Sequence, residues 1–171
     1  MAQTQAVEVL GIPHRIQGPR FNAYVEDPHF AQWLQSSFLR HVDCVFEEAT
    51  GRSPSVAESL LKRRIPQPHY VDIDPTPEER RILGISEHSS GGAAIAPASS
   101  PDVYEYVTLD DQIKRETEWL RRISATKFEK ALIICGLSHS LSIAFKLRSA
   151  GIAVREVYTY IPYSLLCPMR H

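Results

Sequence analysis

Val7-Glu8-Val9-Leu10-Gly11-Ile12-Pro13-His14 and Ala131-Leu132-Ile133-Ile134-Cys135-Gly136-Leu137-Ser138-His139 share one shape. Each is an apolar run of strand length, followed by a glycine, two spacers and a histidine. Near-continuous apolar runs rich in β-branched residues suit strands buried on both faces, as in a parallel sheet. A glycine leaving a strand accepts a positive φ at no steric cost and permits a tight turn. The histidine is then held just past the strand's end, where parallel sheets place their sites. Two such stretches at opposite ends of the chain are the feature around which the rest is organised.

Between and beyond them, strand and helix signals alternate. Residues 6–12 read as the first strand, and 15–26 as an irregular polar segment. Asp27-Pro28 supplies an N-cap and an N1 proline. Phe30, Trp33, Leu34 and Phe38 then fall on one face of a helix over 28–40. Val42 to Phe46 forms a second strand that ends at Glu47-Glu48. Ser53-Pro54 opens a helix with Val56, Leu60 and Leu61 on one face. His69 to Asp74 alternates with period two and stops at Pro75, which predicts a third strand. Thr76-Pro77-Glu78-Glu79 combines an N1 proline with a capping box, and Gly84 suits a C-cap.

Residues 86–102, rich in Ser, Ala, Gly and Pro, are too long for a simple connection and read as a mobile lid or a disordered excursion. A helix follows Asp110-Asp111 to about residue 124. Residues 130–135 form the fourth strand, 140–150 a helix ended by Gly151, and 153–161 a fifth strand with Tyr158, Tyr160 and Tyr163 at its exit. Strands alternating with such helices predict βαβ units. The expected architecture is one α/β domain spanning residues 1–171: a mainly parallel sheet of about five strands, with helices on both faces.

The 171 residues suffice for one sizeable core. With 43% apolar and 23% charged residues and a formal net charge of -1, the composition gives no electrostatic argument for nucleic acid or an anionic membrane. Cys44, Cys135 and Cys167 lack any C-x-x-C spacing, so they read as small buried hydrophobes in a reducing compartment. With no signal-like leader and no apolar stretch long enough to span a bilayer, the expected location is cytoplasmic.

The chemistry gathers at the predicted C-terminal strand edge. That edge carries His14, Glu47, Glu48, Asp74 and His139. Two histidines and a carboxylate are a usual ligand set for a catalytic divalent ion, which lowers the pKa of its bound water. Because adjacent strand residues face opposite ways, Glu47 and Glu48 are not both expected in one site. On the helix before the fourth strand, Ile113, Leu120 and Ile123 define a stripe that also contains Glu116. An inward carboxylate there points either to the rim or to a core salt bridge with Arg115 or Arg52. Gly136-Leu137-Ser138-His139-Ser140 lacks the closing glycine of a nucleophile elbow, so Ser138 is not the expected nucleophile.

These residues resemble the TraB/TIKI superfamily, which is related to erythromycin-esterase-like and ChaN-like proteins. The likeness lies in the two G-x-x-H motifs, in Glu47 at a strand end with Arg52 five residues on, in the acidic strand Val71-Asp72-Ile73-Asp74, and in Lys114-Arg115-Glu116. Lys114 stands where the family pattern has an acid. The resemblance implies a compact α/β fold and, in the TIKI branch, metal-dependent peptide hydrolysis. Other branches include an esterase and a haem-associated protein, so fold alone does not set the reaction.

The resulting expectation is a hydrolase of amide or ester bonds acting on a small molecule or peptide. Its divalent metal would be held by His14, His139 and Glu47. Glu116 or Glu48 would act as general base, and Arg52 or Arg115 would steady an anionic group. The competing expectation is a non-catalytic small-molecule-binding or regulatory protein using the same rim, with Tyr158, Tyr160 and Tyr163 lining it.

Overall fold

The two glycine–histidine stretches form neighbouring strands at the centre of one sheet. A computed structural model describes residues 5–18, 26–49, 54–86 and 109–162. Strand β1 (Ala6–Ile12) runs parallel to β4 (Lys130–Gly136), in register from Ala6 opposite Lys130 to Ile12 opposite Gly136. The two motifs therefore leave the sheet side by side at the same height.

The other strands are β2 (Cys44–Glu47), β3 (His69–Asp72) and β5 (Ala153–Thr159), and the order is β3-β2-β4-β1-β5 with every pairing parallel. The α/β architecture expected from the alternation of elements is the one observed.

The helices are α1 (Pro28–Leu34), α2 (Val56–Leu61), α3 (Pro77–Leu83), α4 (Leu109–Ala125) and α5 (Ser140–Ser149). Strand alternation splits the core into two layers. Val7, Val9, Cys44, Phe46, Ile133 and Cys135 pack against Trp119 and Ile123 of α4 and Ile143 and Leu147 of α5. Leu10, Ile12, Val45, Leu132 and Ile134 pack on the other side, against Phe30 and Leu34 of α1 and Leu61 of α2.

Right-handed crossovers account for this division. The chain moves outward from β1 to β2 to β3 with α1 and α2 on one face. It returns to β4 and continues to β5 with α4 and α5 on the other. β4 thus lies between β1 and β2, whose following connections go to the opposite face. That is a topological switch point, the place where open parallel sheets form a crevice.

Local details refine the sequence boundaries. Asp27 caps α1 by accepting the Phe30 N–H at 3.0 Å, and the helix continues as a wider π turn over Gln35–Leu39. Ser55 caps α2, two residues later than the Ser53-Pro54 reading. Strand β3 stops at Asp72 because its carboxylate accepts the N–H groups of Ala49 and Asp74 (3.1 and 3.0 Å), turning the chain away from the ladder. The Thr76/Glu79 capping box forms as expected, and Gly84 closes α3 at φ +64°. Of the segment 86–102, read as a lid or excursion, residues 87–102 lie outside the described residues. Among the described residues, no helix is long and apolar enough to cross a membrane.

Ile133 is fully buried on the central strand. Ile133→Ala is expected to lower unfolding free energy by about 2–5 kcal/mol. In urea denaturation this appears as a lower midpoint with an unchanged slope.

Candidate functional site

The sheet edge at the switch point collects side chains from four segments. After β1, a single 3-10 turn (His14–Ile16) presents His14, whose side chain keeps 34% of its surface exposed. After β4, a turn closed by the His139 N–H to Gly136 carbonyl bond (3.0 Å) seats His139 at the start of α5, where it is buried. Glu48 follows β2 directly. Helix α4 supplies Arg115 and Glu116, both buried.

Glu48 is the centre of this group. His14 Nε2 lies 3.6 Å and His139 Nε2 3.8 Å from the same oxygen, Glu48 Oε1. The Arg115 guanidinium donates to that oxygen as well, and the Gly136 N–H donates to Oε2 at 2.7 Å. Arg115 also binds Asp74 at 3.0 Å, and Asp74 pairs with Arg80, so a buried chain of alternating charges backs the site.

Each imidazole is held from behind through Nδ1. His139 Nδ1 is 2.8 Å from Glu116 Oε1, and His14 Nδ1 is 2.7 Å from Gln17 Oε1. The Trp119 ring meets the His139 ring edge-on at 4.9 Å, and the Arg115 guanidinium sits 5.5 Å from the Trp119 centroid. Glu116 is itself fixed by Ser142, by Gln112 at 3.0 Å and by Lys146 at 3.1 Å.

Burial alone would raise the Glu48 pKa. The positive charges offered by His14, Arg115 and His139, together with the Gly136 N–H, outweigh it and hold the carboxyl at about 2. Burial likewise acts to raise Glu116, but hydrogen bonds from His139, Ser142, Gln112 and Lys146 bring it to about 2. Burial lowers the Arg115 pKa, but Glu48 and Asp74 more than reverse that and raise it above its ordinary value. Of the two glutamates expected as general base, Glu48 lies on the Nε2 side of both rings and Glu116 on the Nδ1 side of His139.

Glu47 does not join the histidines. It shares its strand face with Val45, and its carboxylate accepts from Ser55, from Tyr70 at 2.8 Å and from Gln17 Nε2 at 3.1 Å. The position between the rings belongs to Glu48 instead, which follows the parity of Cys44 and Phe46. Arg52 lies outside the described residues. Arg115 is tied into Glu48 and Asp74 with 5% of its side chain exposed, which suits holding Glu48 rather than meeting a substrate.

Tyr158 packs against Phe38 of the π turn and Tyr160 against Phe30 and Trp33 of α1, away from the rim. Tyr163 is not among the described residues. Helix α4 buries Asp111, Arg115, Glu116, Trp119 and Ile123, while Ile113 is exposed.

The expected set of His14, His139 and Glu47 is divided between two sheet faces. Among the described residues, no group of three or more His, Cys, Asp and Glu side chains could hold a metal ion. Glu48 Oε1, the oxygen that both rings face, carries the Arg115 guanidinium. The residues present do not fit the expected metal.

The glycines of the two motifs do a different job from the one their turns suggested. Among the described glycines, positive φ occurs at Gly84 and Gly151 and not at Gly11 or Gly136. A Cβ on Gly136 would lie 2.5 Å from His14 Nε2, and a Cβ on Gly11 would lie 2.9 Å from both Cβ and Oγ of Ser140. Each glycine thus makes room for a residue brought by the other stretch.

Comparison with protein-family models, curated proteins and solved structures gave no match.

Gln17, Lys146 and Ser142 escaped the sequence reading. Gln17 had one usable signal, its i+3 spacing from His14 across a 3-10 turn, where such residues eclipse. Ser142 and Lys146 look like ordinary surface residues of a helix until α5 is packed beside α4.

Gly136→Ala is expected to fold, because the clashing atoms belong to a partly exposed ring that can swing away. The His14 ring should lose its place beside Glu48, visible as large shifts of its imidazole NMR signals with the remaining spectrum little changed. For Glu116 the folded pKa of about 2 lies below the ordinary value, so its stabilisation is complete above the unfolded pKa. It is lost as pH falls from about 4.3 toward the folded value. The stability difference between wild type and Glu116→Gln, followed by denaturation across that window, should shrink to nothing at its acid end.

Proposed function

We propose that the protein is a hydrolase of amide or ester bonds in which His14, Glu48 and His139 activate a water molecule. The observation that carries this reading is the convergence of two Nε2 atoms on one carboxylate oxygen, at 3.6 and 3.8 Å, with both Nδ1 atoms engaged elsewhere. Those separations exceed direct hydrogen bonds, and a water seated there would donate to His14 Nε2 and to one of the other two acceptors.

In this reading His14 Nε2, on the more exposed of the two rings, takes the proton as water attacks the carbonyl carbon. Glu48, kept ionised by Arg115, stabilises the imidazolium that forms. His14 then returns the proton to the leaving nitrogen or oxygen as the bond breaks. His139, fixed by Glu116, orients the water. The preference for amide and ester substrates comes from the resemblance of the G-x-x-H stretches.

The test is turnover of chromogenic aryl esters and aminoacyl anilides by wild type, His14→Ala and Glu48→Gln, with and without a chelator. Wild-type turnover that chelator does not change, and that falls by about 10²–10⁴-fold in His14→Ala, is expected. Equal turnover in His14→Ala would overturn the proposal. So would one divalent ion per chain that is lost in that variant, since the rings would then be metal ligands. Failure of wild type to turn over any ester or anilide, while binding one at the rim, would return the site to a binding role.

A further inference from the structure

We infer that Gln17 and Glu47, on the far side of the sheet edge from Glu48, are positioning residues that set the tautomer of His14. The inference rests on His14 being the base of the proposed hydrolytic site, but its geometry and its test stand apart from catalysis.

Gln17 is 1% exposed, and its amide group meets three partners. Nε2 lies 3.1 Å from Glu47 Oε1 and 3.1 Å from the Glu48 backbone carbonyl. A carbonyl can only accept, and the Glu47 carboxylate already accepts from the hydroxyls of Ser55 and Tyr70. The end of the amide facing these two oxygens must therefore be the NH2 group, because the reverse orientation would set oxygen against oxygen twice. That choice leaves Oε1 facing His14 Nδ1 at 2.7 Å.

An amide oxygen only accepts, so Nδ1 must carry the proton, and in the neutral ring Nε2 keeps the lone pair. The main chain is pinned as well: the Gln17 N–H donates to the His14 carbonyl at 3.0 Å, and the Gln17 carbonyl accepts from Val56 at 2.6 Å. The proton on one face of His14 is thus dictated, through Gln17, by the Glu47 carboxylate. Glu47 lies on the opposite strand face from Glu48, so adjacent glutamates serve one histidine from two sides.

The test reads the imidazole nitrogens of His14 in 15N-labelled protein by long-range 1H–15N correlation, at about pH 9, well above the ordinary imidazole pKa of about 6.5. Wild type should show a protonated Nδ1 and an unprotonated Nε2. Glu47→Gln offers Gln17 a second NH2 group and frees its amide to turn. The Nδ1–H form should then give way to a mixture with Nε2–H. Gln17→Leu, which removes the acceptor at Nδ1, should produce the same loss.

An Nε2–H ring in wild type overturns the inference without recourse to any variant. An unchanged tautomer in both Glu47→Gln and Gln17→Leu, with the backbone spectrum intact, overturns it too. Because the readout is a tautomer and not a rate, an inactive protein with the inferred Nδ1–H form would sink the hydrolase proposal alone.

Discussion

A carboxylate buried where three strands end has to be neutralised, and the way Glu48 is neutralised arranges everything around it. Moving an ionised carboxyl away from water is costly unless opposite charge and hydrogen-bond donors replace the lost hydration. Here Arg115 supplies the charge and the Gly136 N–H a fixed dipole. Arg115 is in turn held by Asp74, and Asp74 by Arg80, so the ends of β2, β3 and β4 are linked through α3 and α4 by one polar chain. Truncating any member leaves a buried charge without its partner, an error costing about 3–5 kcal/mol in comparable pairs. The side chain at the centre is therefore among the most constrained in the molecule, and the histidines are measured against it.

Topology explains why the histidines reach it. Only at a switch point do neighbouring strands send their following chains to opposite faces and leave a gap between them. β1 and β4 are such neighbours, and their exact register brings Gly136 level with Ile12. His14 then leans across the end of β4, into space that exists because residue 136 has no side chain. The two motifs interlock as a pair, which gives a physical reason for a glycine in each that local turn geometry does not provide.

Much of the fold was legible because hydrophobic period, caps and breakers agreed along the chain. Strand 1, strand 4, the Thr76 capping box and the Gly84 stop needed no tertiary information. The meeting of His14, His139 and acidic residues at one edge was legible too, since parallel strands must share their C-terminal side. The choice between Glu47 and Glu48 was not made correctly, although a clue was present. Counting back from Glu48 by twos reaches Phe46 and Cys44, the face that α4 covers, and Glu116 had been left open between the rim and a core salt bridge. What lay out of reach was any contact that depends on two packed surfaces at once. Gln17 meeting both glutamates, Ser142 and Lys146 closing on Glu116, and Arg115 choosing Glu48 and Asp74 together are properties of the assembled layers, with no trace in local spacing.

The most direct measurement of the central claim is the 13C carboxyl titration of Glu48 in selectively labelled protein. If Arg115 and the two imidazoles surround an ionised hub, the Glu48 signal should stay at its ionised position down to an acid limb near the value of about 2 that its surroundings impose. It should also respond to replacement of Arg115. A Glu48 carboxyl that titrates at the ordinary value of about 4.3, indifferent to Arg115, would contradict the account.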